Sequence, residues 1–405
     1  MTSGTVSRFL DRSTPPHIAT LILMAGLGAL SLNIFLPSLP AMTVDFGVTY
    51  AMMQLSVSLY LAMTAILQIL VGPLSDRYGR RPVMLVATAI FVLATLGALV
   101  APNFGLFLAF RLLQAVIATG FVLSRAVVRD MVPQNQAASM IGYVTMGMSV
   151  VPMVGPVIGG VLEQAFGWQS NFVVLGLGGI GLFLLVWFDQ GETAEVRPAS
   201  LMAQLREYPE LLRSQRFWGY CLAAAFASGA FFAYLGGAPF VGTDVFHLDP
   251  AALGFYFGAP AVGYMVGNYL SGRYSMRFGV NRMVIYGALA STIGLGLLAL
   301  LTMAGFVTPA IFFGLVISIG LGNGLLMPNA TAGMLSVRPS LAGSAAGLGG
   351  AFAIGGGAAF SALAGVLLSP GSGPMPLILL MLASAAASIL CVFWVIRRER
   401  EVRGF

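Results

Sequence analysis

Arg111 is the side chain whose position most needs a reason. It lies inside the apolar run 105–127, three residues before Gln114. A guanidinium inside a membrane costs at least about 2.5 kcal/mol unless it faces protein or water, so it marks a binding or coupling role by default. A snorkelling arginine serving the nearer membrane surface is the alternative. Its expected partner is Asn33, near the end of the first apolar run, in Leu32-Asn33-Ile34-Phe35-Leu36-Pro37. The Asn33 Oδ1 atom and backbone carbonyls freed ahead of Pro37 are expected to accept its hydrogens. Such a site holds a fixed positive charge, which favours neutral or anionic ligands over cations.

The second concentration of charge is Gly72-Pro73-Leu74-Ser75-Asp76-Arg77-Tyr78-Gly79-Arg80-Arg81. It joins two apolar runs by so short a loop that they must be antiparallel neighbours. Gly72 is expected to allow close helix approach, and Gly79 to supply a positive φ. Asp76 can pair with the arginines beside it, or face the N-terminus of another helix, that beginning near 341. A third pattern, Gly147-x-x-x-x-Pro152-x-x-Gly155-Pro156-x-x-Gly159-Gly160, places small residues on helix faces with two bending prolines. With Gly254/Gly258 and Gly263/Gly267 it is expected to pack at a junction between two halves.

The second half offers Phe231, Tyr234, Tyr256, Asn268 and Asn329 as cavity-lining candidates beside Asn33, Arg111 and Gln114. Aromatic walls with a few polar points suit uncharged or weakly anionic amphiphiles. For any one aromatic, ordinary packing is the alternative. No catalytic triad, metal-ligand cluster or phosphate loop is present in the sequence, so no enzyme activity, cofactor or metal is expected. Cys221 and Cys391 both fall in apolar runs and read as packing residues.

The elements that must position these residues are membrane spans. The 405 residues are 58% hydrophobic and 8% charged, and only a bilayer accommodates that balance. Apolar runs at about 17–40, 51–74, 82–101, 105–127, 137–162, 168–188, 217–241, 251–274, 281–304, 307–333, 341–369 and 375–396 predict twelve helices. The first is too long for a cleaved leader and reads as retained. Every basic residue is arginine, and the arginines fall in alternate loops and at both ends of the chain. That pattern puts both termini in the cytoplasm. It also explains the net charge of +6 without nucleic acid. The polar segment 189–216, with a short helix expected at Leu201–Glu207, divides residues 1–188 from 217–405 as two six-helix bundles. Gly72, Arg77, Tyr78 and Gly79 recur as Gly272, Arg277, Phe278 and Gly279, the trace of an internal duplication. Met276 stands where the repeat of Asp76 would fall.

The loop Gly72-x-Leu74-x-Asp76-Arg77-x-Gly79-Arg80-Arg81 resembles the signature of the major facilitator superfamily. Arg111 resembles that superfamily's embedded arginine, and Gly155-Pro156-x-x-Gly159-Gly160 its antiporter motif. Asn33 through Pro40, Arg129-Asp130 and Ala238-Pro239-Phe240-Val241 resemble the bicyclomycin-resistance (Bcr/CflA) multidrug efflux branch. The resemblance implies an all-α fold of two pseudo-symmetric bundles in the bacterial inner membrane. It further implies a monomer that exports small amphipathic drugs or metabolites by alternating access, in exchange for protons. That branch carries an aspartate where this chain has Asn33, and an amide does not titrate. A passive facilitator or uptake carrier is therefore the first alternative. A membrane sensor or scaffold is the second.

Overall fold

A computed structural model describes residues 7–132, 140, 144, 151–194, 209, 211–337 and 342–403. Gly147 and the expected helix at 201–207 lie outside them. The described chain is helical. Span one is Ile18–Asn33, carried on through the 3-10 turn Leu36–Ser38 into Leu39–Phe46. Pro37 and Pro40 shape that bend, because neither can donate a backbone hydrogen bond. Spans two and three are Tyr50–Tyr78 and Arg80–Leu99. Span four is Phe104–Gln114 joined by the 3-10 turn Ala115–Ala118 to Thr119–Met131. Span five is described over Val151–Phe166, and span six is Gln169–Asp189.

Span seven, Gln215–Phe240, ends in a π-turn over Val241–Val245. Span eight is broken at Gly258 into Pro250–Phe257 and Ala259–Phe278, where Pro260 cannot continue the ladder. Spans nine to twelve are Val280–Met303, Pro309–Val337, Ala342–Leu367 and Met375–Arg403. Among the described residues, ten helices are long and apolar enough to cross a membrane, and span five adds the shorter apolar helix Val154–Phe166. With the broken span eight they make the twelve expected from hydropathy.

Local chemistry fixes the ends. Thr49, Asn103, Ser214 and Asp249 each cap the helix that follows, taking a backbone hydrogen from Met52, Leu106, Phe217 and Ala252. Asp189, fully buried, reaches back from span six to the start of span one. It accepts hydrogens from the Leu10 amide (2.6 Å), the His17 amide (2.9 Å) and the Thr20 hydroxyl (2.5 Å). Because the spans alternate in direction, both ends of the described chain and the arginine-bearing connections share one face, called here the arginine face. The connections after spans one, three, five, seven, nine and eleven share the far face.

The halves meet in backbone contact near the far face. A Cβ on Gly160 would strike the Pro250 carbonyl, and one on Gly254 the Pro156 carbonyl, so spans five and eight touch across the junction as expected. The Tyr50 hydroxyl donates to the Gly236 carbonyl (2.7 Å), and Gln54 Nε2 to Ser361 Oγ (2.7 Å). Other small-residue pairs face elsewhere. Gly155 and Gly159 press on span one, against Leu30 and the Ile34 carbonyl. Gly263 and Gly267 pack on span ten, against the Ile317 and Leu321 carbonyls, within the second half. Pairs four residues apart share one helix face, so 155/159 and 156/160 serve two different neighbours.

Among the described residues nothing lies within 4 Å of where a Cβ on Gly72 would be. One turn earlier, Gln68 Oε1 lies 3.3 Å from where a Cβ on Gly350 of span eleven would be, so spans two and eleven approach each other there.

Candidate functional site

Arg111 is fully buried, and both terminal nitrogens of its guanidinium are bonded without a carboxylate, while Nε has no partner among the described residues. It donates to Ser31 Oγ (3.1 Å), the Ser31 carbonyl (2.7 Å) and Gln114 Oε1 (2.8 Å). Its guanidinium carbon lies 4.1 Å from the Tyr60 ring centroid and 4.3 Å from that of Phe35. Gln114 passes the connection on, donating from Nε2 to Thr95 Oγ1 (2.8 Å), which donates to the Phe91 carbonyl (2.7 Å). Hydrogen bonds from a charged group contribute about 1.5–3 kcal/mol each, and a desolvated cation over an aromatic face about 2 kcal/mol. Together they exceed the roughly 2.5–3.5 kcal/mol cost of placing an arginine at the centre of a span on the insertion scale.

The expected contact from Asn33 Oδ1 to Arg111 does not form. Asn33 donates from Nδ2 to the Ala29 carbonyl (2.7 Å), and its buried Oδ1 has no hydrogen-bond partner. Two residues along a helix turn about 200°, so Ser31 and Asn33 face opposite ways. Ser31 meets span four, while Asn33 Cβ faces Gly155 of span five. The expectation of span-one carbonyl acceptors holds, through Ser31.

Of the second-half candidates, Tyr234 and Tyr256 share a ring neighbour in Phe313, while Asn268, Asn329 and Phe231 are engaged elsewhere. Tyr234 is fully buried, donates to the Phe257 carbonyl (2.9 Å) and stacks on Phe257. Tyr256 stacks on Phe313 with centroids 5.3 Å apart. Asn329 ties span ten to span eight through Ser271 Oγ (2.8 Å), and Asn268 bonds its own helix at the Tyr264 carbonyl (2.9 Å). Phe231 packs edge-on against Phe232. Arg125 lies inside Thr119–Met131. Its side chain is solvent-reachable, with Tyr264 of span eight as electrostatic neighbour.

The Gly72–Arg81 loop is a second polar centre. Gly79 has φ 93° and ψ 153°, a conformation close to glycine-only. Arg80, 8% exposed, pairs with Asp76 (2.5 Å) and with Asp130 at the end of span four (3.1 Å), and also bonds Ser75. Glu192, just beyond span six, accepts the Arg80 amide (2.8 Å) and the Arg81 amide (3.2 Å), capping span three. Arg81 donates to the Trp187 carbonyl (3.0 Å) and lies over its ring. Asp76 therefore takes the local pairing of its two expected options. Sequence reasoning did not anticipate Glu192, which is distant in the chain and carries no local pattern.

Two six-span halves around buried polar groups are an architecture of membrane transporters. Comparison with known proteins agrees. The chain matches the family described as Major Facilitator Superfamily over residues 21–362 and 243–405, and it belongs to that superfamily. It is 32% identical over 304 residues to a chloramphenicol resistance protein of Pseudomonas aeruginosa, covering 72% of each chain. It is 27% identical over 401 residues to a bicyclomycin resistance protein homolog of Haemophilus influenzae, covering 97% of this chain and 99% of that one. This is the multidrug efflux branch that the motifs resemble. The fold also superposes on a bacterial homolog of the human lysosomal transporter Spinster in an inward-facing, occupied conformation. There the TM-score is 0.71 at 15% identity, over 95% of this chain and 96% of that one.

Proposed function

We propose that this protein exports small amphipathic compounds, neutral or anionic, across the bacterial inner membrane by alternating access of its two halves. The observation that carries this reading is Arg111, buried at 0% exposure and held by Ser31, Gln114, Phe35 and Tyr60, with no acid beside it among the described residues. Its charge is fixed and unneutralised, so it raises the local preference for electron-rich groups and opposes cations. The arginine face is the cytoplasmic one by the positive-inside rule. The far-face contacts between spans five and eight suit a protein that receives substrate from the cytoplasm. Asp76 and the start of span eleven would close that side in the opposite state, so Asp76→Asn should favour cytoplasmic opening. A monomer contains all the groups this scheme needs.

A facilitator without standard proton coupling is the second reading, favoured by the amide at Asn33 and the absence of a carboxylate on Arg111. Everted vesicles loaded by diffusion with chloramphenicol or bicyclomycin, with and without an imposed pH gradient, separate the two. Export that follows the gradient supports antiport, and equal fluxes in both directions support facilitation. Arg111→Ala should lower transport at least tenfold, and Arg111→Lys should recover little, because an ammonium cannot reproduce the fork to Ser31. Unchanged flux in Arg111→Ala would remove this site from the mechanism.

A further inference from the structure

Spans one, five and six converge at the far face on a polar cluster with too few hydrogens. Glu163 lies four residues after Gly159, on the same side of span five, and is 9% exposed. The Ser38 hydroxyl of span one lies beside it. Asn171 of span six, fully buried, donates from Nδ2 to Ser38 Oγ (2.9 Å) and to the Gly159 carbonyl (3.3 Å). Two acceptors are left over, Glu163 Oε2 and Asn171 Oδ1, both buried and both without a partner. Asn171 Oδ1 lies 3.3 Å from where a Cβ on Gly159 would stand, one turn from Glu163.

The charged and titratable groups around Glu163 do not relieve this. Asp45, on the extension of span one, adds a second negative charge and is engaged with Trp168 Nε1 (2.6 Å). Asp249 heads span eight, whose Pro250 meets Gly160, and is engaged with the Ala252 amide (2.8 Å). His247 precedes it in the same connection. Among the described residues no cation pairs with Glu163. One hydrogen on Oε2 changes the balance, because a neutral carboxyl is a donor as well as an acceptor. It would supply the donor that the Asn171 Oδ1 lacks and remove a buried charge at the same time.

We propose that Glu163 is a proton-binding site whose protonation draws spans one, five and six into the surface on which span eight closes at the far face. The proposal rests on the transporter reading above. In the shut state the proton sits on Oε2. When spans five and eight part at Gly160/Pro250 and Pro156/Gly254, water reaches the carboxyl, the O–H bond breaks, and the proton leaves to that water. Closing reverses the step. The shut state then binds one proton more than the open state. It is favoured at low pH on the far side and lost as pH rises.

Two measurements on the full chain in nanodiscs test this, and neither needs a substrate. Infrared difference spectra should show a protonated-carboxyl stretch in the wild type at neutral pH. Glu163→Gln should remove that band, Asp45→Asn should keep it, and Asn171→Ala should weaken it. For the second, spin labels replace Phe166 on span five and Phe255 on span eight, 76% and 72% exposed, with Cys221 and Cys391 changed to Ser. The shut-to-open ratio should rise by up to about tenfold per unit fall in pH in the wild type, and Glu163→Gln should be shut and indifferent to pH. A carboxyl band that survives Glu163→Gln, or a pH response unchanged by it, overturns the proposal. Failure of chloramphenicol or bicyclomycin transport in vesicles would count against the exporter reading alone.

Discussion

Gly79 and Gly279 end spans two and eight with nearly the same backbone, φ 93°, ψ 153° and φ 80°, ψ 160°. In both turns an arginine two residues earlier lies over the ring that follows it, Arg77 over Tyr78 at 5.3 Å and Arg277 over Phe278 at 5.6 Å. There the likeness stops. The first turn is held by Arg80 between Asp76 and Asp130 and by Glu192, which caps the helix that follows the turn. The second has Val280 and Met276 in the corresponding places, Met276 being 99% exposed. A neutral bond secures it instead, from the Tyr220 hydroxyl of span seven to Asn281 Oδ1 (2.6 Å). A duplicated backbone has kept its turn in both halves, while the tie from one arginine to two carboxylates belongs, among the described residues, to the first turn.

The largest test of this asymmetry is Arg80→Ala. It strands Asp76 and Asp130, whose side chains are 28% and 23% exposed. Removing one partner of a fully buried pair costs 3–5 kcal/mol, and partial exposure lowers the expected loss to about 2–3 kcal/mol. Val280→Ala at the matching position should cost under about 1 kcal/mol. Thermal stability of detergent-purified protein by size exclusion measures both. Equal losses would mean that the ion pairs contribute nothing particular to the first half.

Next come the two glycines. A side chain at either φ costs about 1–3 kcal/mol in backbone strain. At Gly79 the added Cβ would also strike the Glu192 carboxylate, whereas at Gly279 nothing lies within 4 Å among the described residues. Gly79→Ala should therefore exceed Gly279→Ala by about 1 kcal/mol, the value of a helix cap. Glu192→Gln isolates the charge part of that cap. It keeps the shape and should cost about 0.5–1 kcal/mol, less at high salt.

What the sequence disclosed depended on whether the physics was local. Span number and alternation follow from hydropathy and arginine spacing, because each span must satisfy its own backbone in the membrane. Gly79 was legible because a positive φ needs no partner. The ties Arg80–Asp130 and Arg80–Glu192 join residues 50 and 112 positions apart, and no local pattern announces them. Arg111 is an intermediate case. Its rank as a site was visible from depth alone, but its partner was misplaced from Ser31 to Asn33. Helix phase would have corrected this: Ser31 and Phe35 are four apart, share a face, and both meet the guanidinium.

The smallest effect is the most specific. Met276→Asp restores the acid missing from the second loop, but position 280 is valine, so the new carboxylate has no partner one turn on. It lies in the last turn of span eight, where the helix dipole disfavours a negative charge. The single variant should therefore be neutral or destabilising by up to about 0.5 kcal/mol. The double variant Met276→Asp/Val280→Arg adds the i,i+4 partner of the first loop. At a position as exposed as Met276, that pair should return no more than about 0.3–0.5 kcal/mol. It should still fall short of the first loop's lock, because no equivalent of Asp130 or Glu192 faces it among the described residues. A double-mutant cycle read by thermal stability at low and high salt decides the matter. A coupling above about 1 kcal/mol, or one insensitive to salt, would mean that the second turn already supplies a buried acceptor for the introduced guanidinium and that the halves are more alike than their sequences.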